Sequence, residues 1–148
     1  MRSKRLVALL ALVLTLTLFP ITLVQAKKPL RSEVDGWSEP FGWGATITSG
    51  SFEGYTMLWY NKIAEFRKAN VYFFEEWEIW DGDTLVLAGF DEGVTRLKNG
   101  KFTGNGKVTY AMEGLEHLIG LKEHIGGVVD FVSPDPTTWT FTATVQIN

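Results

Sequence analysis

The segment from Trp139 to Ile147 alternates strictly between apolar residues and residues with hydroxyl or amide side chains. Side chains of a β-strand alternate between two faces, so this pattern predicts a strand with one apolar and one polar face. Phe141, Val145 and Ile147 are expected to point into the core, and the threonines between them to face the other way. Such a two-faced strand needs partner strands. We therefore expect it to complete a sheet or barrel formed by the rest of the chain.

Further apolar runs, separated by turn signals, predict the partner strands. These runs cover residues 41–48, 52–63, 71–80, 84–98, 101–112 and 121–132. Asp81-Gly82-Asp83 and Asn99-Gly100 are typical of turns, because Gly, Asn and Asp tolerate positive φ. Seven or eight short strands with frequent glycine turns favour an all-β fold, an antiparallel β-barrel or alternatively a β-sandwich, over a βαβ fold.

Two segments leave the secondary structure open. Helical spacing competes with a strand over residues 58–68; we prefer the strand, with a short helical turn as an option at residues 64–69. Residues 113–120 are compatible with one helical turn or with a loop that plugs an end of the barrel.

Glycines interrupt two of the predicted strands. Gly89 and Gly93 indicate a bulge or bend in the strand over residues 84–98. Gly104 and Gly106 indicate a bulge or a sharp corner in the next strand. We expect this second pair to be required by the backbone, through φ and ψ values that other residues avoid.

The first 26 residues differ from the rest of the chain. Basic residues precede an apolar run from Leu6 to Val24, and Val24-Gln25-Ala26 suits a signal peptidase. This pattern predicts a signal helix, cleavage after Ala26, and export to the cell surface or the extracellular space. The run is long enough for an uncleaved anchor as the alternative, although its threonines and Pro20 weaken that reading. Residues 27–38 are expected to form a linker, and residues 39–148 a single barrel domain.

Charge and composition exclude several partners. All 17 acidic residues but only 11 of the 14 basic residues follow Ala26, which gives the exported part a net charge of −6. Nucleic acid is therefore not expected as a partner, because phosphate binding requires clustered Lys and Arg. A membrane contact is expected only through the N-terminal segment, if that segment is retained. With no cysteine, the chain forms no disulfide bonds. No cofactor is expected.

The segment Gly100–Thr109 reads Gly-Lys-Phe-Thr-Gly-Asn-Gly-Lys-Val-Thr. It resembles the Gly-x-Phe-x-Gly hairpin of the allene oxide cyclase and dirigent barrels, which belong to the calycin-like group. The similarity in the spacing of the predicted strands covers residues 84–148. The residues that are specific to the hairpin motif are Phe102 and the glycines. The resemblance implies a calycin-like barrel, and it transfers no catalytic motif residue by residue.

Glu75 is the candidate catalytic residue. It alternates with Phe73, Trp77 and Ile79, whereas Glu76 belongs to the opposite face. If the Phe73 face points inward, desolvation would raise the pKa of Glu75 and make it an acid or a base. We favour the other alternative, in which Glu75 lies in water, because buried unpaired carboxylates are rare.

Two candidate ion sites have ordinary explanations. His117 and His124 each follow a glutamate and could bind a divalent metal, but their spacing fits no zinc motif. We expect a hydrogen-bonded or exposed histidine pair. The acidic residues near predicted turns could bind calcium, but they lack the spacing of an EF-hand, and solvated turns are preferred. These acidic residues are Asp81, Asp83, Asp91 and Glu92.

The aromatic residues suggest a function. We expect a non-catalytic barrel that binds a small apolar ligand in an aromatic interior or mouth. The candidate ligand-binding residues are Trp59, Phe73, Trp77 and Tyr110. The alternatives are a cyclase- or isomerase-like enzyme that uses Glu75, and a structural or adhesive surface module. A cavity of a few hundred cubic ångström with Glu75 would favour the enzyme, an apolar cavity without Glu75 the binding protein, and a filled barrel the structural module.

Overall fold

The computed structural model describes residues 28–131 and 134–148. The described residues form eight strands that close into one antiparallel barrel, in which each strand pairs with its neighbours in sequence and β1 pairs with β8. The strands are β1 (Leu30–Glu39), β2 (Gly42–Gly50), β3 (Thr56–Arg67), β4 (Asn70–Asp81), β5 (Thr84–Arg96), β6 (Lys101–Ala111), β7 (Lys122–Asp130) and β8 (Thr140–Ile147). The predicted all-β barrel is confirmed. The predicted signal helix and its cleavage site lie outside the described residues.

Short 3-10 helices occupy two of the loops. Glu116–Leu118 lies between β6 and β7, and Pro136–Thr138 lies between β7 and β8. Leu118 packs into the barrel core, as expected of a loop that plugs one end. Within the described ranges, no helix is long and apolar enough to span a membrane.

Residues 30–38 do not form a linker, and that prediction is wrong. They belong to β1, which pairs with β2 on one side and with β8 on the other. Val34 is buried, and the small residues Ser32 and Gly36 share its inward face. Because Ser32 and Gly36 are small, the strand lacks the apolar alternation that marks β8. The Ser32 hydroxyl donates a hydrogen bond to the Ser51 carbonyl oxygen inside this end of the sheet.

The helical turn considered for residues 64–69 is also absent. β3 continues to Arg67, and Lys68 adopts a positive φ of 56° in the turn that leads to β4. Ala64 lies opposite Phe73, and Phe66 lies opposite Val71. This cross-strand pairing outweighs the weak helical propensity of the segment.

Large aromatic side chains lie opposite glycines on the neighbouring strand. Trp77 lies opposite Gly89, Phe73 opposite Gly93, and Phe141 opposite Gly36. In each pair a Cβ atom on the glycine would overlap the facing ring. The glycines therefore make room for rings that fill the interior, which is how small barrels combine large and small residues.

Gly104 and Gly106 are required for a reason other than the one predicted. Neither has a positive φ. A Cβ atom on Gly104 would lie 3.0 Å from Cγ2 of Ile125, and one on Gly106 would overlap the carbonyl oxygen of Phe90. These glycines are therefore constrained by the lack of space next to the neighbouring strands. Their backbone dihedral angles impose no such constraint.

The predicted faces of the last strand are confirmed. Phe141, Val145 and Ile147 of β8 are buried in the core. Thr140 and Thr142 are exposed on the other face, and the Thr144 hydroxyl there donates a hydrogen bond of 2.8 Å to Glu33. The whole barrel closes between Leu30 and Ile147, so this part of the chain contains its own hydrophobic core.

Candidate functional site in the barrel interior

A row of carboxyl groups crosses the inner wall of the barrel. Glu75 of β4 lies directly opposite Asp91 of β5, Asp91 lies opposite Gly106 of β6, and Gly106 lies opposite Glu123 of β7. All three acidic side chains occupy inward positions, with exposed fractions of 8% for Glu75, 0% for Asp91 and 1% for Glu123. Because Gly106 has no side chain, none separates Asp91 from Glu123 in this row.

Burial shifts the acidity of all three groups in the same direction. Loss of hydration raises the pKa of Glu75 to about 8, that of Asp91 to about 7 and that of Glu123 to about 9. The negative charge of Asp91 adds to the rise in the pKa of Glu75 and Glu123. The Trp59 indole acts in the opposite direction and lowers the pKa of Asp91. At neutral pH the row therefore holds mostly protonated carboxyl groups, with Asp91 near its midpoint.

Several polar atoms of this interior have no hydrogen-bond partner among the described residues. They are both carboxyl oxygens of Asp91 and of Glu123, and the indole nitrogens of Trp59 and Trp77. The Trp59 nitrogen is close enough to influence Asp91 but does not reach hydrogen-bond geometry. Buried polar groups in proteins are normally paired, so these atoms have unused capacity to donate or accept hydrogen bonds.

Next to this row, a cavity opens at one end of the barrel, which we call the mouth end. This is the end where the loops join β1 to β2, β3 to β4, β5 to β6 and β7 to β8. The cavity has a volume of about 40 Å³ and is partly open to solvent. Its wall consists of Trp43, Trp59, Phe73, Glu75, Thr95, Phe102, Ile125, Val129 and Phe141. The wall is thus mainly aromatic and aliphatic, and of the three interior carboxyl groups it includes that of Glu75.

The cavity meets none of the three expectations in full: it is smaller than the few hundred cubic ångström expected for an enzyme, its wall includes Glu75, which was not expected for a binding protein, and the barrel is not completely filled. Phe141 accounts for much of the filling, because its ring packs edge-on against Trp43, Trp59 and Phe102, at centroid distances of 5.5, 5.7 and 5.9 Å. A volume of about 40 Å³ has room for a few water-sized groups, or for the end of a longer molecule that extends out through the open side.

The structure separates the predicted ligand-binding residues. Trp59 and Phe73 line the cavity. Trp77 is fully buried in the core and is not part of the cavity wall. Tyr110 is 44% exposed and lies outside the cavity wall. The preferred prediction of a solvated Glu75 is wrong, because the Phe73 face of β4 points inward and Glu75 lies in the wall.

The candidate metal ligands do not come together. His117 is exposed in the loop between β6 and β7, and Glu116 accepts a hydrogen bond from the Gly114 backbone. His124 is exposed on the outside of β7, where its Nδ1 atom lies 2.9 Å from Asn105 Oδ1, while the preceding Glu123 points inward. In the part of the chain that the structure describes, no group of three or more His, Asp or Glu residues could hold a metal ion.

The acidic residues considered for calcium are also dispersed. Asp81 and Asp83 adjoin the turn between β4 and β5, at the end opposite the mouth. Asp91 is completely buried inside the barrel, whereas the neighbouring Glu92 is exposed on its outer surface.

Sequence reasoning did not identify Asp91 and Glu123 as interior residues. A signal for Glu123 was present, because Glu123, Ile125, Gly127 and Val129 alternate with more exposed residues and share the inward face of β7. Asp91 alternates with Gly89 and Gly93, and its apparent position in a turn concealed this inward pattern.

Comparison with known proteins identified no relative: no family model, no curated protein and no solved structure matches this chain.

Proposed function

We propose that this protein is an exported β-barrel that binds a small, mainly apolar ligand, or the apolar end of a larger one, in the cavity at the mouth end. The observation that carries the proposal is the composition of the cavity wall, in which aromatic and aliphatic side chains surround the single carboxyl group of Glu75. Ligand sites typically combine apolar walls with a few polar groups that orient the ligand.

Glu75 supplies the orienting group. With a pKa of about 8, its carboxyl group is protonated at neutral pH and can donate a hydrogen bond from its O–H. A ligand with a carbonyl or hydroxyl oxygen near its apolar end satisfies this donor. A charged carboxylate ligand does not fit, because the described residues of the cavity wall include no basic side chain that could offset its charge.

A pair of probes of equal length tests this proposal. 2-Heptanone carries a carbonyl oxygen and heptane does not, so we expect 2-heptanone to bind more tightly at pH 6. Binding is followed by NMR, through the indole N–H of Trp59 and the methyl groups of Ile125. Val86 is buried near the opposite end and serves as the internal reference.

Variants of Glu75 provide the control. Glu75→Gln keeps a hydrogen-bond donor and should retain the preference for the ketone, whereas Glu75→Leu should lose it. If neither probe shifts the cavity resonances, or if both shift them equally in the original protein, the proposal is wrong. Native mass spectrometry of protein purified from its own source would show independently whether a ligand is bound.

A second candidate function is a cyclase- or isomerase-like activity in the same cavity. The favouring observation is that Glu75 faces the cavity with a pKa near neutrality, as a residue that transfers protons requires. Glu75→Gln separates the two functions, because it should abolish turnover of a substrate while it preserves binding.

Export is part of the proposal and has its own measurement. N-terminal sequencing of the exported protein should read Lys-Lys-Pro-Leu, the sequence that follows Ala26. Recovery of the intact chain only from membranes would indicate instead that residues 6–24 form an anchor.

A further inference from the structure

The mouth end of the barrel exposes a group of large apolar side chains. Their exposed fractions are 84% for Phe41, 74% for Phe66, 60% for Ile63 and 39% for Leu97. Phe41 lies in the β1–β2 turn, Ile63 and Phe66 in the far part of β3, and Leu97 in the β5–β6 loop. We call these four residues the apolar rim. Single exposed apolar residues are common, but a group at one end of a molecule indicates an interaction surface.

The β3–β4 hairpin projects beyond the neighbouring strand. Pairing between β2 and β3 ends at Gly42 and Tyr60, and the Asn61 backbone N–H donates a last bond of 3.1 Å to the Phe41 carbonyl. Beyond that point β3 pairs with β4 alone, and residues 61–67 are exposed. The hairpin tip therefore stands clear of β2 at the mouth.

The projecting hairpin is apolar on both of its faces. Phe66 pairs with Val71 on the face that continues into the barrel interior, and Ile63 pairs with Phe74 on the outer face. A flat protein partner would cover one of these faces. By contrast, a layer of lipid headgroups surrounds both faces of an inserted hairpin tip.

The two ends of the barrel differ in charge. The mouth loops and the strand residues that adjoin them carry five basic and three acidic residues, a net charge of +2. The basic residues are Arg67, Lys68, Arg96, Lys98 and Lys101, and the acidic residues are Glu39, Asp130 and Asp135. The three loops at the opposite end, with their adjoining residues, carry one basic and five acidic residues, a net charge of −4.

We propose that the mouth end docks on the surface of a lipid bilayer that carries anionic headgroups, with Phe41, Ile63 and Phe66 inserted into the interfacial layer. Apolar side chains flanked by Lys and Arg have the composition of surfaces that bind in this way. The overall negative charge of the exported domain favours the same orientation, because only the mouth end is attracted to anionic lipid.

Pairing of the exposed β3 edge with a second copy of the chain is less favoured. Lys62, Glu65 and Arg67 lie along this edge, and the register shifts between Asn61 and Ile63. Charged side chains and bulges are features that prevent edge-to-edge pairing. Membrane docking depends on the rim alone and does not require that the cavity bind a ligand.

Vesicle binding tests the proposal on the fragment from Lys28 to Asn148, which contains all eight strands of the closed barrel and no part of the apolar N-terminal run. Partition is measured by co-sedimentation with vesicles of phosphatidylcholine alone, and with vesicles of phosphatidylcholine and phosphatidylglycerol in equal parts. We expect binding to the anionic vesicles, reduced by added salt. The double variant Phe41→Ser/Phe66→Ser should weaken that binding by about tenfold or more.

Ile119→Ser is the matched control, because Ile119 is 49% exposed in the loop at the opposite end. It should bind vesicles like the original protein. The proposal is overturned if the original fragment binds neither vesicle, or if Ile119→Ser loses as much binding as the double variant. Light scattering tests the alternative of a dimer. If the original fragment is dimeric and does not bind vesicles, and the double variant is monomeric, the rim joins two copies of the chain and the proposal is overturned.

Discussion

At the scale of single residues, Phe141 is the side chain around which aromatic residues at the mouth end pack. Its ring contacts three other aromatic rings and is 5% exposed. Replacement by Ala removes these contacts and leaves a void beside the existing cavity. We therefore expect Phe141→Ala to lower the free energy of unfolding by about 3 kcal/mol or more, measured by urea denaturation.

Thr142 is the matched control on the same strand. It is exposed on the outer face, so Thr142→Ala should cost well under about 1 kcal/mol. Equal losses for both variants would contradict the assignment of the two faces.

The contrast between Phe141 and Glu75 shows what alternation can predict for a residue. β8 has one apolar and one polar face, and its orientation followed from the sequence. β4 has aromatic residues and glutamates on both faces, so the pattern did not distinguish them. The rarity of buried carboxylates then gave the wrong answer, because a carboxyl group that remains protonated avoids the cost of burying a charge.

At the scale of elements, the inward glycines of β6 allow residues of the neighbouring strands to lie close to its backbone. A methyl group on Gly106 would overlap the Phe90 backbone, which cannot move without breaking the pairing of β5 with β6. A methyl group on Gly104 would meet the side chains of Ile125 and Phe73 at 3.0 to 3.3 Å, and side chains can shift.

We therefore expect Gly106→Ala to lower the melting temperature clearly more than Gly104→Ala. Both measurements use thermal unfolding followed by circular dichroism. Equal decreases in melting temperature for the two variants would contradict this prediction. They would indicate that both positions require unusual φ and ψ values, or that both have open space for a methyl group.

β1 shows why one element escaped prediction. Its inward positions include Ser32 and Gly36, which do not produce an apolar period, and its outward positions include Arg31, Glu33 and Asp35. The strand pairs with β2, which follows it after a tight turn, and with β8, which is distant in sequence. Long-range pairing of this kind is not encoded in local alternation.

At the scale of the whole molecule, the interior carboxyl row couples stability to pH. In the unfolded chain, Asp and Glu have pKa values of about 4. In the barrel, burial raises the pKa to about 7 for Asp91, about 8 for Glu75 and about 9 for Glu123. Between the unfolded and folded values, the folded state therefore binds more protons than the unfolded state. Under this condition, stability falls as pH rises.

We expect the melting temperature of the Lys28–Asn148 fragment to decrease steadily from about pH 5 to about pH 8, because each raised group contributes up to about 1.4 kcal/mol per pH unit within its window. Asp91→Asn mimics the protonated form, so it should flatten this slope and exceed the original protein in melting temperature at pH 8. Glu92→Gln is the control, because Glu92 is adjacent in sequence but exposed on the outer surface, and it should keep the original slope. A melting temperature that is constant or rises over this range would show that the three carboxyl groups are ionised inside the barrel, with partners that offset their burial.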